Sequence, residues 1–169
     1  MKVIMYKRDN SFLSRLVSII TGSEYTHSAV LHQYGNKCYF SDSSLSYGII
    51  VTPLAQMPEY LKNREYEVYQ PKVVSKASDL DAFVKMSELS GGDYDVQGAV
   101  TWVISRLLKK IGIFRRNNKL YCFEFTLELL KCYYNIDKEL LYSPNGDTVR
   151  DFMVENGSKT RFLNCKRVG

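Results

Sequence analysis

The feature that most limits what this chain can become is a pair of apolar runs, residues 25–33 and 38–42, separated by Tyr34-Gly35-Asn36-Lys37. Those four residues are turn chemistry, so the two runs read as an antiparallel hairpin. Pairing residues symmetrically about Gly35-Asn36 sets Ala29 beside Asp42 and His27 near Ser43 or Ser44. A hairpin commits the chain to a sheet. Residues 2–7, 47–52 (closed by Pro53) and 65–70 read as further strands, the last from its alternation of polar and apolar side chains.

Helical signals lie between and after these strands. Asp9-Asn10-Ser11 supplies N-cap chemistry for Phe12, Leu13, Leu16, Val17, Ile19 and Ile20, a stripe that stops at Gly22. Its apolar face suits a membrane surface, but with so few basic residues packing on the core is the expectation. Ser78-Asp79-Leu80-Asp81 opens a second helix with acidic residues in its first turn, and Gly91-Gly92 ends it. Asp93-Tyr94-Asp95 then leads into a longer stripe through Val100, Val103, Ile104, Leu107 and Leu108 to Gly112. The turn Ser143-Pro144-Asn145-Gly146-Asp147 precedes a short helix from Thr148 to Val154, and Thr160 to Cys165 is expected to return as a strand. The class is α+β. With no repeat, low-complexity tract or long linker, residues 1–169 are expected to form one domain.

The chemically informative stretch is Leu120-Tyr121-Cys122-Phe123-Glu124-Phe125-Thr126. Apolar residues from Phe123 to Tyr134 and the Glu124, Glu128, Lys131 ladder favour a helix, which puts Cys122 in its first turn. Unpaired N–H groups and the positive end of the helix dipole make that a place for a reactive thiol. A buried cysteine is otherwise only a small hydrophobe. The partner a nucleophile needs is His27, on a strand that can hold an imidazole rigidly. Asp42, with Ser43 and Ser44 behind it, is the candidate to orient that ring and stabilise its charged form. His32, an odd number of residues along the same strand, points to the opposite face.

Composition narrows the function classes. At 169 residues, 45% hydrophobic and 24% charged, the chain can bury a core without staples. Its formal charge of +5 is dispersed, the densest groups being Lys109-Lys110 and Arg115-Arg116 with Lys119. Neither a reading helix nor the aromatic interleaving of a single-strand binder is present, so nucleic acid is not an expected partner. The first nine residues lack the apolar region of a secretory leader and no run reaches membrane-spanning length, so a cytoplasmic location is expected. Cys38, Cys122, Cys132 and Cys165 show neither metal-ligand nor disulfide-framework spacing, which agrees with a reducing compartment.

The layout resembles the circularly permuted branch of the papain-like NlpC superfamily, the branch of the YiiX-like proteins, poxvirus relatives and the lecithin–retinol acyltransferase group. The matching stretches are residues 11–16, Thr21-Gly22-Ser23-Glu24-Tyr25-Thr26-His27-Ser28-Ala29-Val30, Tyr39-Phe40-Ser41-Asp42, Gly48-Ile49-Ile50, Gly92-Asp93-Tyr94-Asp95, Tyr121-Cys122-Phe123-Glu124-Phe125 and Ser143-Pro144. In this branch the histidine strands precede the cysteine helix, as they do here. The resemblance implies a permuted papain-like (NlpC-type) fold, with an antiparallel sheet carrying His27 packed on a helix carrying Cys122 at its N-terminus. It makes Cys122 the nucleophile, His27 the general base and Asp42 the third polar member, where the family more often has Glu or His. Tyr94 matches a tyrosine that helps line the oxyanion site, and Tyr121 flanks the nucleophile.

The implied chemistry is acyl transfer through a thioester, on an amide (peptide) or lipid-ester bond, without metal or organic cofactor. The apolar helix 12–20 and the basic loop 115–119 together could give peripheral membrane contact. The competing reading is a catalytically inactive papain-like binding module.

Overall fold

The computed structural model describes residues 1–72, 76–96, 120–136 and 145–160. The expected helix from Val100 to Gly112, the basic loop 115–119 and the Ser143-Pro144 turn lie outside them. Within them a six-stranded antiparallel sheet is built from β1 (Lys2–Lys7), β2 (Tyr25–Tyr34), β3 (Lys37–Ser44), β4 (Gly48–Pro53), β5 (Tyr66–Pro71) and β6 (Gly157–Thr160). Their spatial order is β4-β3-β2-β1-β5-β6. The helices are α1 (Phe12–Thr21), α2 (Glu59–Lys62), α3 (Lys76–Leu89), α4 (Cys122–Tyr134) and α5 (Gly146–Asn156).

The hairpin register falls where the turn residues put it. Tyr34 pairs Lys37, Leu31 pairs Phe40 and Ala29 pairs Asp42, which is the last pair before β2 and β3 part. Side chains alternate across the sheet. On one face Ile4, Tyr6, Ala29, Leu31, Phe40 and Leu61 form a core beneath α2 and the short 3-10 turn Leu54–Gln56. On the other, Val3 and Met5 pack with Cys122, Phe123 and Leu127 of α4 and Met153 of α5, while Val30 and Ile49 pack with Met86 of α3. His32 follows the parity rule. It is buried on the face opposite His27, its ring 4.9 Å from that of Phe83.

Helix α1 is capped as expected, by the Ser11 side chain and by Gly22 in the left-handed conformation, but it docks the other way round. Its inward contacts are made by serines: Ser14 Oγ lies 2.9 Å from Thr26 Oγ1, and Ser18 Oγ donates to the Ser23 carbonyl at 2.8 Å. Phe12 and Ile19 are left 82% and 76% exposed. Core packing of the apolar face is therefore corrected, because two hydrogen-bonded serines already occupy the side of the helix that meets the sheet.

Three further departures are local. The 3-10 turn and α2 carry no apolar period long enough to announce them. Helix α5 begins at Gly146 rather than Thr148, with Asn145 accepting the Thr148 N–H at 2.8 Å. Strand β6 begins directly at Gly157, and the expected strand residues 161–165 lie outside the described residues. Cys38 is disulfide-bonded while Cys122 and Cys132 are free, a departure from the all-thiol state expected of a reducing compartment. Among the described residues no helix is long and apolar enough to cross a membrane.

Candidate active site

Cys122 is the first residue of α4, as its sequence pattern predicts, and Tyr121 before it is extended at φ −85°, ψ 170°. The Glu124 carboxylate reaches back to accept the Tyr121 N–H at 3.4 Å, the capping role its position suggests. Two buried strand serines then fix this helix start to the sheet. Ser43 Oγ of β3 donates to the Leu120 carbonyl at 2.6 Å, and Ser28 Oγ of β2 donates to the Cys122 carbonyl at 3.1 Å. Thr126, one turn along, donates to the same carbonyl at 3.0 Å. The chain entering α4 is thus held by β3 at Leu120 and by β2 at Cys122.

His27 sits two residues beyond the last β2–β3 pair, where the strands have separated and leave room beside the ring. Its backbone is secured by Thr26, which receives the Arg64 guanidinium at 2.8 Å as well as Ser14. The Tyr6 ring packs against the imidazole at 5.8 Å. His27 Nε2 lies 2.7 Å from Asp42 Oδ1. At that separation the two form an ion-pair contact whose N–H direction falls outside straight hydrogen-bond geometry. Nε2 faces Asp42, which leaves Nδ1 for a second partner, and Cys122 is near enough to raise the pKa of the ring.

Burial of the imidazole would lower its pKa, but the Asp42 carboxylate and then the Cys122 sulfur outweigh burial and raise it to about 10. Cys122 is 5% exposed and the His27 side chain 12%, so the pair is recessed. Tyr94 is half-buried against the cluster that contains Cys122. Burial first, then the Cys122 and Asp42 charges, push its hydroxyl well above the usual tyrosine range, so it stays a donor. Tyr121 is buried, its ring edge-on to Phe123 at 6.5 Å; burial and then Glu124 raise its hydroxyl too.

The structure therefore brings Cys122, His27, Asp42 and Tyr94 together, with Tyr121 packed behind the helix start. Ser28, Thr126 and Tyr6 support the site and were not identified from sequence, while Ser43, read there as a stand-in for Asp42, holds the Leu120 carbonyl instead. The available signal was three serines at alternate positions of apolar strands, 28, 41 and 43, all fully buried. A cavity of about 330 Å³ lies elsewhere, where β1 begins, lined by Lys2, His32, Gln70 and Asp79 among others, and does not touch this cluster. Among the described residues no three His, Cys, Asp or Glu side chains gather as a metal site.

With this geometry in view, the whole chain was compared with known proteins. It is similar to the crystal structure of metalloprotein YiiX from Escherichia coli O157:H7, with a TM-score of 0.58 and 17% identity, over 91% of this chain and 79% of that one. The fold is YiiX-like. At that identity the likeness extends to the α+β architecture and its antiparallel sheet. No family model and no curated protein matches the chain.

Proposed function

We propose that this protein is a cysteine hydrolase or acyltransferase on a permuted papain-like domain spanning residues 1–169, with Cys122, His27 and Asp42 as its triad. What supports the reading is the imidazole of His27, 2.7 Å from the Asp42 carboxylate and raised in pKa by that carboxylate and by Cys122 at the start of α4. In the first half-reaction His27, which already holds the proton that Cys122 gives up, stays protonated while the sulfur attacks a carbonyl carbon. The tetrahedral oxyanion accepts hydrogen bonds from the Cys122 N–H at the helix start and from the Tyr94 hydroxyl. His27 then returns the proton to the departing amine or alkoxide, leaving a thioester. Water or another acceptor, deprotonated by His27, attacks the thioester and releases the acyl group with the Cys122 thiol restored. Asp42 keeps the ring oriented and offsets its positive charge throughout.

The test is alkylation of Cys122 by iodoacetamide at pH 6.5, a reagent small enough for a recessed thiol. His27→Ala is expected to slow it about 100-fold, because a cysteine with no imidazolium beside it is only about 1% thiolate at that pH. Equal rates in the two proteins would leave the binding-module reading in place of the hydrolase.

Between amide and lipid-ester substrates, the outward apolar face of α1 favours the lipid. Ser14 anchors that helix to Thr26, the neighbour of His27, so a bilayer meeting Phe12 and Ile19 would lie beside the site. Co-sedimentation with anionic vesicles that is lost in Phe12→Ser/Ile19→Ser supports this substrate class. Sedimentation unchanged by that double substitution rejects it.

A further inference from the structure

A buried carboxylate has two oxygens to satisfy, and in Asp42, which is fully buried, only Oδ1 faces His27. The hydroxyl of Tyr60 donates to the other oxygen, Oδ2, at 3.1 Å. Tyr60 belongs to α2, which is pinned to the sheet by its neighbour Leu61, fully buried in the core beneath that helix. Tyr60 as a residue is 45% exposed, and its ring lies nearly parallel to that of Tyr47 on the β3–β4 turn, with centroids 6.4 Å apart and planes at 20°. Both ends of the side chain are therefore held. Burial and then the Asp42 charge push the Tyr60 hydroxyl well above the usual tyrosine range, so it keeps its proton to donate.

The terminal torsion of an aspartate is broad, and one contact to a ring nitrogen does not fix it. A second donor on the far oxygen does. We propose that Tyr60 is a positioning residue of this site, holding the Asp42 carboxylate so that Oδ1 stays against His27. Aspartate has one side-chain torsion fewer than glutamate, so a single outside donor is enough to lock it. The catalytic meaning of the hold rests on the hydrolase reading, whereas the hold itself acts on Asp42 and His27 whatever Cys122 does.

The experiment follows the ring ¹⁵N signals of His27 through its own titration, because the Asp42 carboxylate raises that midpoint only while Oδ1 stays against the ring. Tyr60→Phe, which keeps the ring on Tyr47 but frees the carboxylate, is expected to lower the His27 midpoint by about one pH unit, a tenfold change in proton affinity. Tyr47→Leu, which removes the stacking partner but leaves the hydroxyl, is expected to leave it unmoved. In an Asp42→Asn background Tyr60→Phe should have no further effect on His27.

An unmoved His27 midpoint in Tyr60→Phe overturns the inference, as does an undiminished Tyr60→Phe effect in the Asp42→Asn protein. Equal alkylation of wild type and His27→Ala overturns the hydrolase reading instead, and the His27 titration still decides the role of Tyr60.

Discussion

His27 and Asp42 face each other at 2.7 Å although they lie on strands that no longer pair at that point, Asp42 being in the last β2–β3 pair and His27 two residues past it. The charge of Asp42 opposes the burial that would otherwise hold the imidazole neutral. Asp42→Asn keeps the volume and removes that charge. The His27 midpoint is then expected to fall from about 10 by about two pH units or more. Ring-proton NMR across the titration measures it.

The same shift makes stability depend on pH in a definite direction. Below about 6.5 the folded and unfolded imidazoles are both protonated and the His27 contribution is fully present. From there to about 10 the folded state keeps a proton that the unfolded state loses, so the contribution drains away as pH rises. Its slope is at most about 1.4 kcal/mol per pH unit. Denaturant unfolding of wild type and His27→Ala at pH 6, 8 and 9.5 should show the gap between them narrowing as pH increases.

Much of this arrangement is legible in the chain because it is local. The turn at Gly35-Asn36 sets the hairpin register, so Ala29 beside Asp42 follows from counting. The first turn of α4 follows from the period of its apolar residues. What periodicity does not carry is the direction in which a stripe points. Helix α1 has the period of a core helix, yet Ser14 and Ser18 make the inward hydrogen bonds and turn the stripe to solvent. The supports of the site are opaque for a related reason. Ser28 and Ser43 look like polar interruptions of apolar strands until the carbonyls they satisfy, those of Cys122 and Leu120, are brought to them from more than 70 residues away. Tyr60 stands on a four-residue helix with no period to read.

A second carboxylate should control stability at acid pH. Glu67 accepts the Tyr25 and Tyr69 hydroxyls, each at 2.7 Å, and Lys159 Nζ at 2.6 Å, which ties β5 to β2 and β6. Burial would raise its pKa, but the Lys159, Tyr69 and Tyr25 donors outweigh burial and hold it at about 2. Its stabilisation is thus present above about 4.5 and lost as pH falls toward about 2. Glu67→Gln is expected to cost about 2 kcal/mol at pH 7 and nothing near pH 2, by urea unfolding. Lys159→Met, on an exposed chain, should cost under about 1 kcal/mol.

Gly48 is where the sheet and the Tyr94 segment touch. Its φ of +68° is left-handed, and a Cβ there would lie 2.4 Å from the Gly92 carbonyl oxygen. That carbonyl accepts the Ile49 N–H at 2.7 Å, and the Gly91 N–H returns a bond to the Ile49 carbonyl at 2.8 Å. The pair of bonds fixes the chain two residues before Tyr94. Gly48→Ala must strain its own backbone and also push this strap away, at about 2–4 kcal/mol in total. Gly22 separates the two costs, because its φ is +69° but no atom lies within 4 Å of a Cβ built there. Gly22→Ala should therefore cost only the backbone strain of about 1–2 kcal/mol. Only Gly48→Ala displaces Tyr94, so at pH 6.5 it alone should change the alkylation rate of Cys122, while Gly22→Ala matches wild type.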